Sequence, residues 1–163
     1  MARVTGEQRP EYFRFASKQL DEHWEHGPHC KCLANLSGDG SILGVVIYDH
    51  INEFNCLMHV ASDGSRRFVT KEFLTWTFKV PFEQWGLTRV TGIVAADNEQ
   101  ALAFDRGLGF VQEGVIRRAF GDVDGILFGM LKEDCRYLTI KVMQLLRLGR
   151  KTFQSKTGSG IKS

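Results

Sequence analysis

The sequence has 163 residues, of which 43% are hydrophobic and 25% are charged, and its formal net charge is +2. This length suits one domain and excludes two ordinary ones, and the composition is typical of a soluble globular protein. No stretch approaches the ~20 apolar residues that a membrane span requires. The polar start, residues 1–8, does not predict a secretory signal, so we expect a cytoplasmic protein.

The cysteines are too few and too unevenly spaced for a disulfide framework, and we interpret them as reduced thiols. They are Cys30, Cys32, Cys56 and Cys135. Residues 23–32 also contain a dense group of potential metal ligands. This group consists of His23, His26, His29, Cys30 and Cys32. Because it lacks the second, distant ligand pair of a zinc finger, we favour a helix end followed by a strand over a metal site.

The first half of the chain predicts one helix and up to four strands. A short strand lies within residues 2–5 at most. The amphipathic spacing that follows predicts a helix that begins at Pro10, carries Trp24 on its apolar face and ends at Gly27-Pro28. Alternation over residues 30–36, a Gly- and Ser-rich turn, and an apolar run over residues 42–48 predict a β-hairpin. Residues 55–61 predict a further strand.

The second half alternates between strands and helices. Residues 70–85 are apolar on more than one face and predict a deeply buried helix, with a kink or break at Pro81. A strand over residues 90–95 is followed by a helix that begins at Asp97-Asn98 and stops at Gly109. Two more strands are predicted over residues 115–120 and 126–131. Because strand–helix–strand units place their strands parallel and hairpins place them antiparallel, we predict a mixed α/β sheet with helices on both faces.

The second of these helices carries a family resemblance. Residues 98–104 (Asn-Glu-Gln-Ala-Leu-Ala-Phe) and 107–110 (Gly-Leu-Gly-Phe) resemble the Asn-x-x-Ala…Leu-Gly-Phe segment of the GNAT superfamily of N-acetyltransferases. Residues 111–119 resemble the branch that acetylates the N-termini of ribosomal proteins, and Glu-Asp-Cys-Arg at 133–136 is similar to small GNAT proteins of tailed bacteriophages. The resemblance covers about 30–136. It implies a mostly antiparallel sheet in which two parallel strands, residues 56–61 and 90–95, splay apart around acetyl-CoA.

The resemblance also implies where acetyl-CoA binds. Its pantetheine arm would pair with the first splayed strand, and its pyrophosphate would lie at the N-terminus of the next helix, where free N–H groups favour anions. In the phosphate loop, Arg66 and Phe68 stand where the family has glycines, so the loop is degenerate. Arg66 and Arg67 either compensate through their guanidinium groups or are simply solvated. The residues expected to contact the cofactor are Met58, Val60, Arg66, Arg67, Phe68, Val69, Thr70, Asn98 and Phe104.

The candidate catalytic residues are less well marked. Many family members use a tyrosine on the later helix as the acid, and the aligned residue is Asp105, which is ionised at neutral pH unless it is buried. The candidate bases are Asp49, His50, Glu53 and His59. We select His59 because it lies on the expected cofactor strand and an imidazole suits base chemistry. Its alternative is a structural role, just as the alternative for Asn98 is to cap its helix.

The chain is predicted to consist of a GNAT-like domain over residues 1–136 and an extension over residues 137–163. The extension contains six basic residues and no acidic one, and it combines an amphipathic helix with a basic tail. We expect it to bind a protein partner or a second copy of the chain; nucleic-acid binding is a weaker reading, and no membrane contact is expected.

Two functions remain open at this stage. The first is acetyl-CoA-dependent N-acetylation of a protein or small-molecule amine. The second is a catalytically silent structural or binding protein of a phage particle, anchored by the extension and located in the host cytoplasm or the virion. The sequence does not select between them, because a fold hosts many functions.

Overall fold

Seven strands form one sheet in the computed structural model, which describes residues 1–138. The predicted extension beyond Leu138 therefore lies outside the described residues. The elements are β1 (Arg3–Thr5), α1 (Pro10–Leu20), β2 (Lys31–Leu36), β3 (Ile42–Asp49), β4 (Leu57–Ser62), α2 (Lys71–Lys79), β5 (Arg89–Ala95), α3 (Glu99–Leu108), β6 (Val111–Phe120) and β7 (Val123–Leu131). The strand order is β1-β2-β3-β4-β5-β7-β6, and β4 with β5 is the parallel pair among these strands.

The sheet separates two apolar cores, as alternation along a strand requires. On β3, Val45 and Ile47 pack with the apolar side chains of α1 on one face. Val46 and Tyr48 pack on the other face with apolar side chains of α2 and α3. The predicted mixed, mostly antiparallel sheet with helices on both faces is thereby confirmed.

The two parallel strands separate almost as soon as they meet. Leu57 of β4 pairs with Thr91 of β5, and the Thr91 N–H donates to the Cys56 carbonyl over 2.9 Å. No further residue of β4 pairs with β5 in the described chain, whereas β5 pairs with β7 along its full length. The predicted splay between these strands is confirmed.

The helix ends follow local chemistry, with one correction to the prediction. α1 ends at Leu20 and not at Gly27, because Asp21 adopts a left-handed conformation (φ 52°) and its N–H bonds to Ser17. Trp24 therefore lies beyond the helix, although it is still buried. α2 ends at Lys79, and the chain widens into a π-helical turn over Val80–Gln84. The break predicted at Pro81 is confirmed, since proline has no N–H to continue an α-helix.

β6 is longer than predicted. It begins at Val111, four residues before the start at residue 115 that the alternation suggested. The register with β7 shifts between Gln112 and Gly114 and again between Ile116 and Phe120. A β-bulge places two residues opposite one and so breaks the period of two, which hid the early part of this strand from a pattern-based prediction.

Gly44 of β3 lies directly beneath Phe68. An added Cβ would stand 2.7 Å from the Phe68 Cβ, closer than packed carbon atoms approach. We therefore expect Gly44→Ala to lower the free energy of unfolding by about 1–3 kcal/mol, measured by urea denaturation. Gly107→Ala is the control: nothing lies within 4 Å of its added Cβ on α3, so it should gain helix stability. A Gly44→Ala protein as stable as the unmodified one would contradict this packing.

Candidate active site

A narrow apolar cleft opens where β4 and β5 part. Met58 and Val60 of β4 line it together with Phe68, Phe104 and Asp105. The first four are residues that the sequence predicts to contact acetyl-CoA, and the fold brings them together. The space open to the centres of water molecules is about 20 Å³, room for little more than one water. A ligand arm must therefore displace lining side chains in order to enter.

The backbone around this cleft suits an amide-rich arm. Beyond Leu57, the edge of β4 that faces β5 has no strand partner in the described part of the chain. Backbone N–H and C=O groups at such an edge are free to pair with ligand amides. On the opposite strand Gly92 has no side chain, and an added Cβ would lie 3.3 Å from Asp105 Oδ2. The residues present therefore fit the pantetheine arm of acetyl-CoA.

Asp105 is the one ionisable side chain in the lining of this cleft. Burial raises the pKa of its carboxyl group to about 6. Within residues 1–138, no donor forms a hydrogen bond with that carboxyl group that would hold it ionised. A larger fraction of this carboxyl group therefore carries a proton at pH 7 than in an ordinary aspartate. From the sequence, Asp105 is expected to be ionised at neutral pH unless it is buried. Its partial burial favours the neutral acid.

His59 and Asp49 form a hydrogen-bonded pair on the opposite face of the sheet. His59 Nε2 lies 3.0 Å from Asp49 Oδ1, and the two side chains are 21% and 13% exposed. Burial by itself raises the pKa of Asp49, but hydrogen bonds from His59, Trp24 and His50 outweigh it and lower the pKa to about 2. Asp49 is thus an ionised partner of His59. Glu53, the remaining candidate base, is exposed in the following loop.

Trp24 completes this cluster, and sequence reasoning missed it. Its indole Nε1 donates to Asp49 Oδ2 over 2.9 Å, and its ring lies 4.9 Å from the His59 ring between centroids. The sequence placed Trp24 on the apolar face of a longer α1. The residues between Asp21 and the start of β2 carry no periodic signal that would place its side chain over β4.

The expected phosphate loop is held together by its own contacts. Arg67 is paired with Asp63 over 2.9 Å. Phe68 turns its ring inward and packs edge-on against Phe73, and its carbonyl accepts from the buried Asn35 amide over 3.0 Å. Arg66 is exposed and has no ion pair within residues 1–138. Arg66 is therefore available to bind a phosphate at this point.

The helix termini on this side of the sheet are capped by side chains. Thr70 Oγ1 accepts from the Phe73 N–H over 3.1 Å at the start of α2. Asn98 Oδ1 accepts from the Ala101 N–H over 3.1 Å at the start of α3. The capping role that the sequence gave as one alternative for Asn98 is therefore present, and its contact with a cofactor stays a prediction.

The histidine- and cysteine-rich segment is occupied by other contacts. His26 Nε2 accepts from Lys31 Nζ over 2.8 Å, and His29 Nδ1 lies 2.8 Å from the Ile51 carbonyl. No group of three or more His, Cys, Asp or Glu side chains in the described chain is arranged to hold a metal ion. None of the four cysteines, all of which lie in the described chain, forms a disulfide. None of the described helices is long and apolar enough to cross a membrane.

The fold of this chain is found in solved N-acetyltransferases. A mutant form of the spermidine/spermine N-acetyltransferase from Vibrio cholerae superposes with a TM-score of 0.69 at 17% identity, covering 85% of this chain and 98% of that one. The ribosomal-protein-S18-alanine N-acetyltransferase from Escherichia coli gives 0.65 at 16% identity, with 80% and 94% covered. The chain has the GNAT fold. The sequence itself matches no protein-family model and no curated protein.

The GNAT fold assigns places to the residues already described. β4 is its first splayed strand, α2 is the helix that follows, and α3 is the later helix that carries Asp105. A further GNAT structure, the Vibrio cholerae spermidine N-acetyltransferase in complex with CoA and spermine, superposes at a TM-score of 0.69 and 15% identity, covering 84% of this chain and 98% of that one. At these identities the likeness concerns the fold, and the phage part of the sequence resemblance stays a prediction.

Proposed function

We propose that this chain is an acetyl-CoA-dependent N-acetyltransferase of a protein or small-molecule amine. One observation supports this above the others. Asp105 and the Asp49–His59 pair lie on opposite faces of the sheet beside the same separation between β4 and β5. The site thus has a half-buried acid with a raised pKa on one side and an oriented imidazole on the other. Acyl transfer to an amine needs both kinds of group.

Each residue has a distinct task in this proposal. When bound, acetyl-CoA supplies an acyl group activated as a thioester. His59 accepts a proton from the attacking amine on the α1 face, and the ionised Asp49 stabilises the imidazolium that forms. Asp105 holds a proton on the α3 face for the leaving group. The apolar lining of the cleft excludes water and so strengthens these charge interactions.

The acceptor is an amine that reaches His59 from the α1 face. Polyamines and protein N-termini are the two acceptor classes to test first. One superposed enzyme is named for spermidine and spermine, and another for the alanine of ribosomal protein S18. The test incubates the full chain with acetyl-CoA and either a polyamine or a peptide that begins with alanine, and follows products by mass spectrometry. We expect one acceptor class to gain an acetyl group. No acetylated product from any primary amine would contradict the proposal.

Arg66 is proposed to bind the phosphates of acetyl-CoA. Because charge-assisted hydrogen bonds contribute about 1.5–3 kcal/mol each, Arg66→Ala should weaken binding of coenzyme A by tenfold or more. Arg67→Ala is the matched control, since Arg67 is already paired with Asp63, and it should have the smaller effect. Isothermal titration of both variants measures the difference. Equal affinities in Arg66→Ala and the unmodified protein would rule out this placement.

A second candidate is a catalytically silent GNAT-fold binding protein of a phage particle. The observation that favours it is the position of Phe68, which stands where the family has a glycine of the phosphate loop. Its side chain packs against Gly44 of β3. In this case the extension over residues 137–163 carries the function by binding a protein partner or a second copy. Truncation after Gly149 tests it: loss of assembly measured by light scattering supports the candidate, and unchanged assembly contradicts it. Retention of the full chain on immobilised nucleic acid would instead favour nucleic-acid binding by the extension.

A further inference from the structure

The indole of Trp24 contacts both members of the Asp49–His59 pair. Its Nε1 donates to Asp49 Oδ2 over 2.9 Å, and its ring is tilted at 43° against the His59 ring. Trp24 is only 7% exposed. Its backbone N–H donates to Ser17 Oγ over 3.0 Å, so the residue is fixed to the end of α1. Contacts from three directions thus hold the indole in one orientation.

These contacts divide the two oxygens of Asp49 between different partners. Trp24 bonds to Oδ2, whereas His59 and His50 lie beside Oδ1. An ionised carboxylate only accepts hydrogen bonds, so His59 must donate its Nε2–H to Asp49. In the neutral imidazole, Nδ1 is then the nitrogen free to accept a proton. The orientation of Asp49 therefore decides which nitrogen of His59 is basic.

We propose that Trp24 is a positioning residue that acts through Asp49 to set the orientation and basicity of His59. The consequence of Trp24 for catalysis rests on the proposed function. The effect of Trp24 on the titration of His59 does not depend on it. Partners outside a reacting pair commonly fix the tautomer of a histidine in this way. Trp24 lies outside the sequence motifs that carry the family resemblance.

The surrounding groups leave the direction of the effect clear. Burial, with Asp49 adding a smaller effect, raises the pKa of the Cys30 thiol to about 11 and that of the Cys56 thiol to about 12, so both are neutral. His50 is 77% exposed and in contact with solvent. Removing the Trp24 N–H takes a positive dipole end away from the Asp49 carboxylate. The electrostatic potential that Asp49 produces at the His59 ring becomes more negative. The His59 ring therefore holds its proton more tightly.

The test is an NMR titration of His59 in the Trp24→Phe protein. Phenylalanine keeps an aromatic ring and removes the N–H. We expect the titration midpoint of His59 to rise by about half a unit to one unit and its Nδ1/Nε2 tautomer ratio to change. Trp76→Phe, on α2 beside Lys79, is the control and should leave His59 unchanged. An unaltered midpoint and tautomer ratio in Trp24→Phe would overturn the proposal.

The Asp49→Asn background gives a second, independent readout. If Trp24 acts through Asp49, then Trp24→Phe should cause little further shift once the carboxylate is gone, whereas additive shifts would overturn the proposal. In the transferase assay, Trp24→Phe should lower kcat with an unchanged KM for acetyl-CoA. A shifted titration in a protein without any transferase activity would support the role of Trp24 and contradict the proposed function, so the two failures are distinguishable.

Discussion

Replacement of His59 by glutamine should lower kcat for acetyl transfer by a factor of about 10²–10⁴, the usual contribution of a general base. Glutamine preserves the polarity and approximate length of the side chain but cannot accept the amine proton. Because His59 is on the α1 face of β4, away from the cleft, the KM for acetyl-CoA should change little. Steady-state kinetics at saturating acetyl-CoA measures both constants.

His50→Gln is the matched control for this prediction. His50 also contacts Asp49 Oδ1, at 3.2 Å, but it is 77% exposed. Its replacement should leave kcat near that of the unmodified protein. Equal losses in the two variants would show that disturbance of Asp49, and not removal of a base, lowers the rate. An active His59→Gln protein would eliminate His59 as the base.

Asp105→Asn should stabilise the protein at neutral pH and reduce its activity. Because burial raises the pKa of Asp105 to about 6 in the folded chain, the folded state binds this proton more tightly than the unfolded chain. Stability therefore falls as the pH rises from about 4 to about 6 and stays lower above that range. The neutral amide avoids this cost. We expect a gain of up to about 3 kcal/mol at pH 7.5 that disappears by about pH 3.5.

Urea denaturation between pH 3.5 and pH 7.5 measures the stability gain of Asp105→Asn, and kcat measures its loss of activity. Since an amide has no acidic proton to give, kcat should fall by about 10²-fold in the same protein. Asp122→Asn, in the exposed turn between β6 and β7, is the control and should change neither quantity. If the stability gain of Asp105→Asn over the unmodified protein is no larger at pH 7.5 than at pH 3.5, the carboxyl group is not desolvated.

The sequence predicted the elements whose signals are local. Asn98 and Gly109 bound α3 because a side-chain cap and a left-handed glycine act within one helical turn. Pro81 predicted the break after α2 for the same reason. The order of strands and helices then sufficed for the parallel pair β4–β5, since connectivity restricts the sheet to few topologies. The separation of this pair was implied by the resemblance to the GNAT superfamily.

The features that escaped prediction depend on distant contacts. The burial of Asp105 is set by the packing of α3 over Gly92, which lies 13 positions earlier in the chain. The contact of Trp24 with Asp49 follows from the early end of α1 at Asp21. The inward turn of Phe68 depends on Gly44 having no side chain. In each case the residue type alone suggested a more ordinary role than its partners give it.

Isothermal titration of the full chain with acetyl-CoA tests most directly whether the cleft between β4 and β5 receives this molecule. The proposed function predicts saturable binding of one acetyl-CoA per chain, with a dissociation constant between about 1 μM and 1 mM, the range of enzyme KM values. Substitution of Gly92 by valine, which would fill the cleft beside Asp105, should abolish the heat. Absence of binding at millimolar acetyl-CoA, or binding that is unaffected by Gly92→Val, would contradict the proposal.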